Sequence, residues 1–143
     1  MELVLPDRVL IDTGPIVAIL RPDDSEHQLC VTQSQDLRYP FLTSWAVLTE
    51  AAWLLRNLPN GVAKLLAQIE QRLIVPLDLK PHDVRWLRDF LEKYDDLGAQ
   101  LADASICCLA EREGIHTIFT LDRRDFMVYR NSQNQGFHLV PSR

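Results

Sequence analysis

The chain has 143 residues, 47% hydrophobic and 24% charged, with a formal net charge of −5; this predicts one ordinary globular domain over 1–143 and argues against a basic protein that coats nucleic acid. No apolar run approaches the ~20 residues that cross a bilayer, and the N-terminal MELVLPDR lacks the basic start and long apolar stretch of an export signal, so the expected setting is cytoplasmic, with no membrane. The three cysteines, two of them adjacent at Cys107 and Cys108, read as small buried hydrophobes in a reducing compartment and not as a disulfide frame or a zinc site.

Along the chain, Arg8 to Asp12 reads as a short strand of Val, Leu and Ile ending in an acid. Thr13-Gly14-Pro15 then turns into the apolar segment Ile16 to Leu20, with Pro15 suited to a first helical position. Asp12 is either a helix cap or a ligand at the carboxyl end of a buried strand. Ser25-Glu26-His27-Gln28 has capping-box spacing and predicts a helix to about Asp36, with His27 facing solvent. Tyr39 to Thr43 is extended, and Thr43 or Ser44 caps the helix SWAVLTEAAWLLRN. That helix reads as mostly buried, with Trp45 and Trp53 in the core and one acid, Glu50, among the apolar residues.

Pro59-Asn60-Gly61 is a turn, Gly61 to Arg72 an amphipathic helix, and Leu73 to Leu77 a strand. Lys80-Pro81-His82-Asp83 opens a helix through Lys93 with Val84, Leu87, Leu91 and Tyr94 on one side; His82 has no partner at ligand spacing. Asp95 to Gly98 is a loop in which Asp96 either caps the next helix or approaches the same cleft as the acid that follows. The stretch from Leu101 to Asp122 is the centre of the design. It predicts a helix buried on most of its surface, a left-handed stop at Gly114, an apolar strand from Ile115 to Phe119, and an acid where that strand ends. A polar loop from Asn131 to Gly136 and a final strand, His138 to Val140, close the chain. Strands alternating with helices predict a three-layer α/β/α domain with a largely parallel sheet.

Four acids stand out against this apolar background: Asp12 and Asp122 at strand ends, and Glu50 and Asp103 inside buried helices. A carboxylate beside a core costs several kcal/mol unless it is paired or bound to a metal. Parallel strands open their carboxyl ends on one edge of the sheet, where packed helices can aim Glu50 and Asp103 at the same point. Four carboxylates without histidine or cysteine form a hard, oxygen-only set suited to Mg²⁺ or Mn²⁺, and attack of activated water on a phosphodiester is the chemistry most often done so. Four of the 20 acids committed to a cation would leave the others close to balance with the 15 Lys and Arg, so an acidic chain can still present a cationic rim. Arg21, Arg56, Arg123, Arg124 and Arg130 are the candidates for that rim, holding phosphates without reading sequence, and Arg123 and Arg124 adjoin Asp122.

The segments IDTGPIVAIL, SWAVLTEAAWLL, YDDLGAQLADASICCLAE and IFTLDRRDF, in this order, resemble the PIN-domain family, and within it the VapC-like toxins of bacterial toxin–antitoxin pairs. The resemblance runs from Val9 to about Phe126; each motif alone is weak, and the ordered set is specific. It implies a Rossmann-like three-layer fold and a metal-dependent endoribonuclease. Asp12, Glu50, Asp103 and Asp122 match the four acidic catalytic and metal-binding positions, Thr13 and Thr120 match hydroxyl positions that orient them, and Asp96 falls where some members carry a further acid. The resemblance also implies an RNA substrate, a small antitoxin from the same operon and a homodimer.

Other readings fit less well. Asp12-Thr13-Gly14 spells the aspartic-protease triplet, but that chemistry needs an all-β fold and a second such aspartate. A phosphoreceiver or aspartyl phosphatase would need a second acid close by and a late lysine. A housekeeping RNA-processing nuclease, or a PIN-like binding module with little activity, remains open.

Overall fold

The computed structural model describes residues 7–142; residues 1–6, within the stretch weighed above as an export signal, and residue 143 lie outside the described residues. Five three-residue strands make one sheet: β1 (Val9–Ile11), β2 (Phe41–Thr43), β3 (Ile74–Pro76), β4 (Thr117–Phe119) and β5 (His138–Val140). Every pairing is parallel and the order is β3-β2-β1-β4-β5. β1, β2 and β4 are buried throughout; β1 is wholly apolar, and the one polar residue in each of the other two, Thr43 and Thr117, is buried with its neighbours. The ladder runs on past the assigned strands, with Asp12 N–H donating to the Phe119 carbonyl at 2.9 Å and Thr120 N–H to that of Val140 at 3.0 Å.

The helices are α1 (Thr13–Leu20), α2 (His27–Ser34), α3 (Trp45–Leu54), α4 (Gly61–Glu70), α5 (Val84–Lys93), α6 (Leu101–Glu113) and the single turn α7 (Arg123–Phe126), with 3₁₀ turns at Pro81–Asp83 and Asp95–Leu97. From β1 the chain steps outward through β2 to β3, then returns to the other side of β1 for β4 and β5. Right-handed crossovers therefore set the helices of the two halves on opposite faces, giving three layers. α1 packs on α2 and α3, and α6 packs on α3 and α5. Residues Ala102 and Ala104 to Ala110 of α6 are buried, and Gly114 closes it at φ 66°, with Ile115 N–H donating to the Ala110 carbonyl at 2.9 Å. Among the described residues no helix is long and apolar enough to cross a membrane.

Several local expectations are corrected. α1 begins at Thr13, so Pro15 is its third residue, still within the first turn where a missing N–H leaves no intrahelical bond unmade. α2 begins at His27, because Asp24 and not Ser25 makes the turn: its carboxylate accepts the Glu26 N–H at 2.8 Å. His27 does not simply face solvent; its Nδ1 lies 2.7 Å from the Ala18 carbonyl and, as the donor, ties α2 to α1. Val84 is exposed while Leu87 and Tyr94 are buried. Trp45 and Trp53 are not core residues: they are 51% and 63% exposed. α3 turns only Val47, Leu48 and Ala51, with Leu55 beyond its end, into the core, while positions 45, 49 and 53, four residues apart, form the outward stripe.

Candidate active site

The reversal of strand order falls between β1 and β4, which is where an open α/β sheet splays its carboxyl ends into a crevice. Asp12 follows β1 directly and Asp122 follows β4 by three residues, so both acids stand at that crevice. A cleft of about 470 Å³ opens there, and Asp12, Glu50, Asp103, Asp122 and Asp125 all line it.

Each acid is placed by an identifiable local device. Asp12 is the N-cap residue of α1 but makes no side-chain cap; its Oδ2 instead accepts the Thr120 hydroxyl at 2.8 Å, and the same Thr120 oxygen accepts the Asp122 N–H at 3.0 Å. Thr120, fully buried, thus joins the ends of β1 and β4. The Thr13 hydroxyl faces the Val47 carbonyl at 3.5 Å, so its contribution to Asp12 is its backbone N–H. Asp103 is in the first turn of α6, where the helix N-terminus favours negative charge. Its Oδ2 accepts the Tyr129 hydroxyl at 3.0 Å and, at 3.5 Å, the Gln100 N–H. Asp122 caps α7 by accepting the Asp125 N–H at 3.3 Å. Glu50 rides on α3, which is fastened to α6 through a buried pair: the Ser44 hydroxyl lies 2.7 Å from that of Ser105, and Ser105 donates to the Ala102 carbonyl at 2.6 Å.

Asp103, Asp122 and Asp125 form the tightest group, each offering a carboxylate oxygen within 4.8 Å of the other two. Asp125 was not singled out from the sequence. Its signal was available: it is three residues after Asp122, hence on the same side of one helical turn. Asp96 is exposed and is not among the residues lining the cleft.

Burial and mutual repulsion set the electrostatics of these acids. Burial pushes the Asp12 carboxyl up to about 6; hydrogen bonds from Thr13 and Thr120 oppose this, and the charges of Asp103 and Glu50 add to it. Asp103 is raised by burial, against the Tyr129 and Gln100 hydrogen bonds, and further by Asp122 and Glu50. Asp122 is raised by burial, against the Asp125 N–H, and by the Asp125 charge, with Arg124 pulling it back. The donor set is all oxygen, so it fits a hard divalent cation and offers nothing to favour zinc.

A measurable consequence concerns Asp12. Folding raises its affinity for a proton above the ordinary 3.8 of an exposed carboxyl, so its stabilising effect is complete below about pH 4 and lost as pH rises through 6. In metal-free protein, Asp12→Asn should leave stability nearly unchanged at pH 4 and raise it by up to ~3 kcal/mol at pH 7. Urea unfolding of both proteins in chelator at the two pH values checks this; a gain independent of pH would remove titration of Asp12 as the cause.

The arginines divide. Arg124 is exposed beside Asp122. Arg123 instead ties α7 to the end of the sheet, donating to the Pro141 carbonyl at 2.7 Å. Arg21 donates to the Leu54 carbonyl at 3.5 Å, with its Nε 3.8 Å from Asp23. Arg56 lies over the Trp53 ring at 3.7 Å, which covers part of that exposed indole. Arg130 donates to the Met127 and Tyr129 carbonyls at 2.7 and 2.8 Å.

An all-parallel α/β sheet with an oxygen-only acidic crevice at its switch point defines the class. Within that class the chain belongs to the PIN domain family, whose model matches residues 9–130. Among characterised proteins, Ribonuclease VapC26 of Mycobacterium tuberculosis is 29% identical over an alignment covering 93% of this chain and all of that protein. Among solved structures, the fold is similar to that of M. tuberculosis VapC20, described as a sarcin-ricin-loop-cleaving toxin (TM-score 0.70, 18% identity, 80% of this chain and 90% of that one). It is also similar to FitAcB of Neisseria gonorrhoeae (TM-score 0.53, 24% identity, 80% and 88%) and to VapBC2 of Rickettsia felis bound to a DNA fragment of its promoter (TM-score 0.57, 13% identity, 92% and 96%).

Proposed function

We propose that this protein is a metal-dependent endoribonuclease of the VapC kind, the toxin of a toxin–antitoxin pair. The observation that carries the reading is the gathering of Asp103, Asp122 and Asp125, with Asp12 and Glu50, in one cleft of a PIN-domain chain. The similarity to VapC26, a ribonuclease, and to VapC20, a toxin, supports it.

Asp103, Asp122 and Asp125 would hold Mg²⁺ or Mn²⁺, with Asp12 and Glu50 completing the acidic lining. When bound, the ion supplies positive charge that activates water and offsets the charge developing on a phosphodiester. Thr120 keeps Asp12 directed by its hydroxyl, and the buried Ser44–Ser105 contact holds α3, and so Glu50, in register with α6. Arg124, exposed beside Asp122 while Arg123 and Arg130 are tied to backbone carbonyls, takes the role of positioning the RNA by a phosphate. The same reading carries a small antitoxin and a homodimeric assembly. The test is incubation of purified protein with single-stranded and structured RNA in Mg²⁺ or Mn²⁺ and in chelator. Cleavage that needs the metal supports the assignment, and cleavage that persists in chelator removes the proposed chemistry.

A further inference from the structure

Tyr129 lies outside every motif described above, in the segment that follows α7, and it is 0% exposed. Its ring is walled by Phe90, Phe126 and Tyr94, with centroids 4.9, 5.0 and 5.0 Å away. A phenylalanine would fill that space equally well. A buried hydroxyl needs a partner, and the one this ring reaches is Asp103, at 3.0 Å. The neighbouring Tyr94 hydroxyl has a different task, accepting the Arg130 N–H at 3.0 Å.

The placement matters because the acidic trio comes from two elements. Asp103 is on α6, whereas Asp122 and Asp125 are on and beside α7. Tyr129 continues from α7, with its own N–H donating to the Asp125 carbonyl at 3.2 Å, and its hydroxyl crosses to α6. It therefore ties the two halves of the trio together. Both of its fixed ends are acids of the trio: the Asp125 backbone on one side, the Asp103 carboxylate on the other. The Gln100 N–H converges on the same oxygen, Oδ2, at 3.5 Å.

We infer that Tyr129 is a positioning residue of the metal site, its hydroxyl fixing the Asp103 carboxylate at the distance from Asp122 and Asp125 that a divalent cation requires. The inference rests on the metal-site reading of the cleft. Groups that orient metal-ligating carboxylates change metal affinity by about 10- to 100-fold when removed. The ring packing is untouched by loss of the hydroxyl, so fold and metal affinity are separable.

The experiment is Mn²⁺ titration by calorimetry of the wild type, Tyr129→Phe, Tyr94→Phe and Asp103→Asn, with melting curves in chelator and RNA-cleavage kinetics. Tyr129→Phe is expected to weaken Mn²⁺ binding by about 10-fold or more and to lower kcat with KM for RNA nearly unchanged. Its melting curve should stay cooperative, and Tyr94→Phe should bind as the wild type does. In the Asp103→Asn background the Tyr129→Phe change should add no further loss of binding. Wild-type Mn²⁺ affinity in Tyr129→Phe would overturn the inference while leaving the metal site standing. Absence of wild-type binding, or binding unaffected by Asp103→Asn, would overturn both. In the wild type itself, the sheltered Tyr129 hydroxyl proton should give a slowly exchanging NMR resonance that shifts on Mg²⁺ addition; an unmoved resonance at saturating Mg²⁺ counts against the role even without a variant.

Discussion

Asp103→Asn is expected to lower metal-dependent RNA cleavage by at least ~10³-fold, about 4 kcal/mol of transition-state stabilisation, because it removes a charged oxygen from the tightest group in the cleft. The same substitution should leave the metal-free fold intact or raise its melting temperature. Asparagine retains a side-chain oxygen for the Tyr129 hydroxyl and the Gln100 N–H, while the repulsion from Asp122 and Glu50 disappears. Cleavage rate and melting temperature measured on one preparation separate the two effects. A variant that melts several degrees lower in chelator would show that the Asp103 charge belongs to the fold and not to a cation.

Arg112→Ala should have the opposite profile: a large loss of stability from a residue outside the cleft. Asp83, at the end of the 3₁₀ turn before α5, is buried, and its carboxylate is met by the Arg112 guanidinium and by the Lys80 N–H at 2.8 Å. Arg112 also donates to the Asp78 carbonyl at 2.7 Å, so one side chain of α6 holds the whole approach to α5. Burial pushes Asp83 up, but the Lys80 and Arg112 interactions outweigh it and its pKa is lowered. Removing Arg112 leaves the buried carboxylate with the exposed His82 imidazole, 3.6 Å away, in place of the guanidinium, at a cost of ~3 kcal/mol, or roughly 10 °C in melting temperature. Since a lowered acid stabilises above its unfolded pKa and ceases to as pH falls, the difference between Arg112→Ala and wild type should be full at pH 7 and shrink toward pH 3. A difference that stays constant with pH would assign the loss to packing of the arginine stem instead. The two acids, Asp12 and Asp83, thus give opposite pH slopes in one protein, and each is read by its own variant.

The contrast between these two variants also bears on how the chain is built. α6 carries both functions on one helix, with Asp103 in its first turn at the crevice and Arg112 in its last turn at the opposite end. Between them lie Ala104 to Ala110, all buried, which anchor the helix against the sheet and its neighbours. A site held at one end of a rigid, well-packed element keeps its geometry when loops elsewhere move.

Much of this molecule was legible in the order of its residues. Short, largely apolar strands at Val9–Ile11, Phe41–Thr43 and Thr117–Phe119, alternating with helical stretches, announced a parallel sheet, because parallel strands joined through crossover helices require that alternation. Asp12 directly after the first of these strands and Asp122 three residues after the last announced the crevice, since a carboxylate at the end of a buried strand demands a reason. The glycine stop at Gly114 was readable for the same local cause: the left-handed conformation at φ 66° is open to glycine at little cost.

What the tertiary structure alone decided has a common physical origin, the contact between residues far apart in the chain. Trp45 and Trp53 are apolar residues on a helix, and nothing local says which side of α3 meets α1 and α6; packing put the stripe of Val47, Leu48 and Ala51 inward and the tryptophans out. Arg123 and Arg124 are adjacent and chemically identical, yet one reaches the Pro141 carbonyl and the other does not. Strand order, and with it the meeting of Asp12 and Thr120 across 108 positions of sequence, follows from crossover handedness and layer packing. The Tyr129 hydroxyl on Asp103 is of the same kind. Hydrophobic periodicity determines which elements form and which residues need burial, but a hydrogen bond between two elements exists only once both are docked, and so it is written in the fold.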